Sequence, residues 1–176
     1  MDGLPALQHC AISFRVGGVS KHALVALAAS TFGTQRDNLR DLTLRGTGSH
    51  IQLNQPFQFL SDMPALRHLV IQNLGLTDLR WLNPDGTGLV LADLHSLDVD
   101  GNRALQLDDG SVTALLSMAA LKKLSMRKTL AAEADTSTGA AGKASKAASR
   151  KAAWSSDSVH CIAQLIAGRP DLQLCF

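Results

Sequence analysis

Three polar residues at equivalent points of successive chain segments have the types that nucleophilic catalysis requires. Asp41, His68 and Ser96 each lie one residue before the second leucine of a Leu-x-x-Leu sequence. A serine nucleophile needs a histidine that bridges it to the carboxylate, an oxyanion hole and a pocket that excludes water. No strand-to-helix nucleophile elbow is present in the sequence. We therefore keep a hydrolase that uses these three residues as an alternative. The preferred interpretation is that they are polar residues of a binding surface.

A metal site is the second chemistry that the residues suggest. Asp98 and Asp100 lie two residues apart, so in a strand both carboxylates point to the same face, and His95 is close in the sequence. His95 is expected at the strand entry with a different orientation, and no loop with calcium-ligand spacing follows. Cys10, Cys161 and Cys175 are too widely spaced for a zinc site or a disulfide framework. We therefore predict no metal, no cofactor and free thiols in a reducing, intracellular and cytoplasmic setting.

A spacing repeat indicates which elements position these residues. Five segments share the pattern Leu-x-x-Leu-x-Leu with apolar substitutes, and their first positions advance by 32, 27, 28 and 27 residues. The segments are Leu7/Cys10/Ile12, Leu39/Leu42/Leu44, Leu66/Leu69/Ile71, Leu94/Leu97/Val99 and Leu121/Leu124/Met126. Alternation of apolar and polar residues over the last positions predicts a short strand with one buried side.

The stretch from Leu94 to Leu124 resembles a leucine-rich repeat of the ribonuclease-inhibitor-like class, whose repeats have 27–28 residues here. The resemblance implies an α/β solenoid of about six units, a horseshoe segment with parallel strands on the concave side and helices on the convex side. It also implies that Asn102, at the ninth position, satisfies backbone groups where the chain leaves the strand. Thr47 and Thr129 occupy that position elsewhere, whereas Arg15 and Leu74 depart from the pattern.

The repeat predicts strands at 10–13, 42–45, 69–72, 97–100, 124–127 and 172–175, with the residues between the leucines on the concave face. Equivalent residues then become lateral neighbours about 4.8 Å apart. The predicted partner-binding residues of this face are Asp41, Thr43, Arg45, His68, Val70, Gln72, Ser96, Asp98, Asp100, Lys123, Ser125 and Arg127. Asp98 and Asp100 form an acidic centre between cationic flanks, and we expect it to serve partner choice without contributing to stability.

Helices are predicted between the strands. Asp108–Ser111 supplies capping residues before a helix with Val112, Leu115 and Leu116 on one face, and Leu24 and Leu27 suggest another. A last helix carries the apolar residues Val159, Ile162, Ala163, Leu165 and Ile166, with Gly168 and Pro170 ending it. Leu172 is then expected to begin a sixth unit, 51 residues after Leu121.

One domain, 1–176, is expected, with an insertion at 131–153 that lacks large apolar residues and is rich in alanine and lysine. Such a segment buries too little surface to offset its ordering entropy, so we predict a mobile loop. The chain begins and ends inside the repeat pattern without polar caps. We therefore expect it to be either a segment of a larger repeat protein or covered at its ends by a partner.

Composition limits the function. Hydrophobic residues make up 45% of the chain, aromatic residues 4%, and the net charge is +2, which argues against nucleic acid as the partner. No apolar run is long enough to span a membrane. We expect a non-enzymatic protein–protein interaction module or scaffold subunit within a larger complex, with no membrane and no small-molecule substrate. The substrate-recognition subunit of a ubiquitin ligase is an alternative that the resemblance allows, although no F-box-like segment is visible in the first forty residues.

Overall fold

The computed structural model describes residues 7–15, 37–47, 60, 63–83, 91–127 and 156–176. These residues form an α/β structure with one six-stranded sheet, in which every neighbouring pair is parallel and the strand order follows the chain order. The strands are β1 His9–Arg15, β2 Asp41–Thr47, β3 His68–Gln72, β4 Ser96–Asp98, β5 Lys123–Ser125 and β6 Gln173–Cys175. A strand is present at each of the six predicted places, but β4 and β5 each end two residues before the predicted ends at 100 and 127.

The register of the sheet confirms the leucine ladder. Leu42 pairs with Leu69, Leu69 with Leu97, and Leu97 with Leu124, and each of these side chains is at most 1% exposed. Burial of each leucine side chain stabilises the fold by about 1.5–3 kcal/mol relative to leaving it exposed to water.

Two α-helices lie within the described part of the chain, α1 Asp109–Ser117 and α2 Ser156–Gly168, and a 3-10 turn covers Arg80–Leu82. Asp108 caps α1 as expected, because its carboxylate accepts a hydrogen bond from the Ser111 N–H at 2.8 Å. Val112 and Leu115 are buried, and Leu116 is half-buried. None of the helices in the described residues is long and apolar enough to cross a membrane.

The buried face of α2 differs from the prediction. Cys161, Ile162 and Leu165 are buried, whereas Val159 and Ile166 are more than half exposed. The sequence pattern included all large apolar residues in one face, but α1 and the core cover only the side of α2 that carries Cys161 and Leu165.

The same chain path leads into each of the last four strands. A backbone hydrogen bond closes a turn at Leu66, Leu94, Leu121 and Leu172, each of whose N–H groups donates to the carbonyl three residues earlier at 3.0–3.2 Å. In the units of β2 to β5 one carbonyl then accepts two N–H groups of the following strand; Arg67 O, for example, accepts from His95 and Ser96. This recurring geometry explains why the spacing of the leucines is constant.

The sixth unit departs from this geometry by one residue. Leu172 forms the expected turn with Arg169, but the strand pairs Leu174 with Leu124, a step of 50 residues where the leucine pattern predicted 51. One residue fewer therefore separates the turn from the strand, and the carbonyl of Lys122 accepts from Gln173. Residues 131–153, Leu24, Leu27 and Thr129 lie outside the described residues, as does the side chain of Thr47.

Candidate functional site

Alternate residues of the strands form one polar face of the sheet, opposite the leucine ladder. The register places His9, Asp41, His68, Ser96, Lys123 and Gln173 in one row. A second row contains Ala11, Thr43, Val70, Asp98, Ser125 and Cys175, and a third begins with Ser13, Arg45 and Gln72. Asp100 and Arg127 follow β4 and β5 beyond the last paired residues. We call these three rows the polar face.

Most of the predicted partner-binding residues are accessible on this face. His68, Arg45, Lys123 and Arg127 are exposed, and a second group is half-buried: Asp41, Thr43, Val70, Gln72, Ser96, Asp98 and Asp100. Ser125 differs, because it is only 7% exposed. Its hydroxyl donates to Asp100 Oδ1 at 2.8 Å, so this side chain serves the sheet and offers little surface to a partner.

The two carboxylates of the acidic centre are committed to internal hydrogen bonds. Asp98 Oδ2 accepts from Gln72 Nε2 at 2.8 Å, and its Oδ1 accepts from the Asp100 N–H at 2.9 Å. Asp100 Oδ1 accepts from the Ser125 hydroxyl and from the Arg127 N–H at 2.6 Å. Charge-assisted bonds of this kind are stronger than neutral ones. The expectation that these aspartates do not contribute to stability therefore needs correction, since each links neighbouring strands.

The cations of the polar face have the opposite character. Within the described residues, the side chains of Arg45, Lys123 and Arg127 form no hydrogen bond and no ion pair. The acids of the face are therefore held against the sheet while these cations are exposed, and its formal charges balance. Internal bonding also restricts the side chains of Gln72, Asp98 and Asp100, which lowers the entropic cost of binding.

The candidate catalytic residues Asp41, His68 and Ser96 are neighbours in the strand register, but they lack the hydrogen bonds of a triad. The Asp41 carboxylate contacts His9 Nδ1 on one side, while His68 Nε2 lies 3.9 Å from Asp41 Oδ1 on the other, beyond hydrogen-bonding distance. Within the described residues, no side-chain hydrogen bond joins Ser96 to His68. The three residues lie side by side on an accessible sheet face, where His68 is exposed and Asp41 and Ser96 are half-buried.

The remaining chemical candidates do not converge on a centre either. His95 Nδ1 donates to the carbonyl of Asp93 at 2.6 Å, and Asp98 and Asp100 are bonded as described. Among the described residues, no three His, Cys, Asp or Glu side chains are grouped so that they could hold a metal ion. Burial raises the pKa of Cys10 and of Cys161, with nearby aspartates adding to the effect at Cys161. Both thiols are therefore protonated near neutral pH and are weak nucleophiles.

Sequence reasoning missed two hydrogen-bonded networks that hold the units beneath the polar face. Arg169 donates to the backbone carbonyls of Met118 at 2.7 Å, Ala119 at 3.2 Å and Leu121 at 2.5 Å. Arg80 forms an ion pair with Asp108, the capping residue of α1. Burial raises the pKa of Asp108, but the hydrogen bonds from Arg80 and Ser111 outweigh burial, so its pKa lies below the ordinary value. An arginine at one position of a repeat carries no signal for such contacts.

Comparison with protein-family models, with curated proteins and with solved structures yields no match to this chain.

Proposed function

We propose that the chain is a leucine-rich-repeat solenoid of the ribonuclease-inhibitor-like class that binds another protein through its polar face and has no catalytic activity. The solenoid interpretation is supported by the parallel strand order, the leucine ladder and the turn that recurs at Leu66, Leu94, Leu121 and Leu172. Asn102 adds to it, because this residue is fully buried at the position where the repeat class has asparagine.

The internal bonding of the polar face is the observation that carries the proposed function. Asp98, Asp100 and Gln72 are held by the sheet itself, whereas Thr43, Val70, Arg45 and Arg127 remain accessible. A surface with a fixed frame and outward side chains loses little freedom when a partner docks. Mixed charge on such a surface suits protein recognition and favours partner choice over raw affinity.

The size of the polar face indicates that a partner must extend beyond it. Six strands at about 4.8 Å span about 24 Å, and five strand residues cover about 17 Å, which gives roughly 400 Å². A stable protein–protein interface buries about 800 Å² on each partner. The partner of a scaffold subunit would therefore also contact the edges of the sheet.

The test places arginines in the middle of the polar face. Thr43→Arg combined with Val70→Arg should abolish partner capture, because long side chains replace two half-buried ones that form no internal side-chain bond. Val159→Arg combined with Ile166→Arg is the matched control, since both residues are more than half exposed on α2. Affinity capture with mass spectrometry would be compared for wild type and both variants, after thermal denaturation has shown that each is folded.

Proteins that wild type and the α2 control capture, and that the polar-face variant loses, support the proposal. If the α2 control loses the same proteins while the polar-face variant retains them, the binding surface lies on the helices and the proposal is wrong.

A further inference from the structure

The residues directly before four successive strands form a column of basic side chains. Arg40, Arg67, His95 and Lys122 immediately precede β2, β3, β4 and β5. The backbone joins them in order: Arg40 O accepts from Arg67 N at 2.8 Å, Arg67 O from His95 N at 2.8 Å, and His95 O from Lys122 N at 2.9 Å. We call these four residues the basic column. It borders the polar face at the edge where the strands begin, and none of its members belongs to the predicted binding set.

The column is accessible and its charges are not neutralised within the described residues. Arg40, Arg67 and Lys122 are exposed, and their side chains form no hydrogen bond or ion pair in that part of the structure. His95 is half-buried, and its Nδ1 is used by the carbonyl of Asp93. At about 4.8 Å per strand the column spans about 14 Å. Like charges this close repel, so folding stability does not explain the arrangement.

The nearby acids leave the column positive. Asp41 follows Arg40 and contacts His9 Nδ1, and Asp171, in the field of Lys122, is held by Arg169. Asp93 is exposed two residues before His95. Lys123, in the neighbouring row of the polar face, adds another exposed cation. A partner that docks on the polar face therefore meets a line of positive charge along one edge.

We propose that the basic column binds an acidic segment of a partner protein, which lies extended across the starts of the strands. This inference rests on the proposed function and specifies the charge of the partner. An extended chain advances about 3.3 Å per residue, so a column of about 14 Å matches four or five residues of the segment. Carboxylates in that segment would pair with Arg40, Arg67 and Lys122.

An acidic peptide fits this surface better than nucleic acid does. No Phe, Tyr or Trp occurs within residues 39–41, 66–68, 94–96 or 121–123, so none of these stacking rings adjoins the column in the sequence. Three or four cations would also release few counterions from a phosphate backbone. A short acidic segment needs only as many cations as the column provides.

The experiment measures fluorescence anisotropy of three probes: a labelled Glu/Ser peptide, a Lys/Ser peptide of equal length and a single-stranded oligonucleotide. Wild type should bind the Glu/Ser peptide alone, and more weakly as salt rises, because the Debye length shortens. Arg67→Glu combined with Lys122→Glu should weaken that binding by about tenfold or more. The matched control combines Arg103→Glu, Ala104→Glu and Gln106→Glu. It changes the net charge by the same amount at exposed positions outside the polar face and the column, and it should weaken binding by less than about threefold.

Each other result overturns the proposal in a defined way. Equal losses in the column variant and in the matched control would mean that net charge acts and the column does not. Tighter binding of the oligonucleotide than of the peptide would assign the column to nucleic acid. If wild type fails to bind the Glu/Ser peptide while Thr43→Arg with Val70→Arg still abolishes capture, this inference fails and the proposed function stands. Peptide binding through the column with unchanged capture by that variant would sustain the inference and overturn the polar face.

Discussion

At two places in the molecule a single side chain forms hydrogen bonds with backbone groups that the strands and helices leave unpaired, and we call these places joints. The first joint is made by Asn102 and the second by Arg169, and the two side chains differ in charge. At the first joint, after β4, the side chain of Asn102 is completely buried. Its Nδ2 donates to Ile71 O and Val99 O, both at 2.7 Å, and its Oδ1 accepts from Leu74 N at 2.9 Å and Leu76 N at 3.2 Å. A neutral amide thus uses both its donors and its acceptor between two consecutive units.

At the second joint, between β5 and β6, a charged side chain performs the same task. The Arg169 guanidinium, whose side chain is 12% exposed, donates to three carbonyls at and after the end of α1, and Asp171 pairs with it. Cations near a helix C-terminus are favoured by the helix dipole. At this joint β6 also pairs with β5 one residue earlier than the leucine spacing predicts, with Leu174 opposite Leu124.

The difference shows how position along the sheet decides the chemistry. In the middle of the sheet a side chain is buried on all sides, and burial of an unpaired charge there would strongly destabilise the fold. A neutral amide, which has both donors and an acceptor, satisfies the backbone groups without that loss of stability. At the last unit α2 ends beside α1, and Asp171 is exposed, so the ion pair keeps contact with water while the guanidinium reaches inward.

Asn102→Ala should cause the largest loss of stability at either joint. The substitution leaves two buried N–H groups and two carbonyls without this partner, and we expect a loss of about 3–5 kcal/mol in the free energy of unfolding. Urea denaturation would measure it. Gln164→Ala is the control, because this exposed amide pairs with His160 on the surface of α2, and its loss should be about 0.5 kcal/mol or less. Equal losses at both positions would contradict the special role of Asn102.

Arg169→Met should have the next largest effect. Methionine keeps much of the side-chain volume but removes the bonds to Met118, Ala119 and Leu121, so we expect a loss of about 2–3 kcal/mol. The loss should appear locally, as faster hydrogen exchange in α2 and β6 with little change in β3 and β4. Arg103→Met, at an exposed position, is the matched control and should leave exchange unchanged. Uniform acceleration across the sheet would show that the joint is not local.

The smallest expected effect is a difference between the two joints in how acid changes their stability. The hydrogen bond from Arg169 lowers the pKa of Asp171 below its ordinary value of 3.8. The stabilisation from this pair is therefore fully present above pH 3.8 and is lost as pH falls through the lower pKa of the folded protein. Asp171 is exposed, so solvent screening keeps the contribution small.

We therefore expect protection of the β6 amides to fall in acid relative to that of Leu74 and Leu76, whose partner Asn102 does not titrate. Hydrogen exchange of wild type and of Asp171→Asn at two pH values would measure this difference. The variant should lose the extra acid sensitivity of β6; if it keeps that sensitivity, another carboxylate is responsible.

Much of the fold and part of the candidate site could be predicted from the repeat. A strand in which every second residue is leucine has one possible buried side, and a constant step puts equivalent residues in register. For this reason the prediction of the ladder from Leu42 to Leu124 and of the first two rows of the polar face is confirmed. The cap at Asp108 is confirmed as well, and it followed from the capping residue types before α1. The internal bonding of Asp98 and Asp100 was not predicted, because cross-strand partners depend on side-chain rotamers that spacing does not define.

What the sequence determined by itself is the periodic part of this protein: six parallel strands, their order and the side on which each leucine lies. These follow from local alternation and from the lengths between repeats, which act on every unit alike. Three features that occur once depend on the tertiary structure alone. They are the one-residue shift in the register of β6, the choice of the buried face of α2 and the hydrogen bonds of Arg169 to three backbone carbonyls. Each of these depends on which atoms two distant segments bring within hydrogen-bonding distance, and a difference of one residue in chain length is enough to change that.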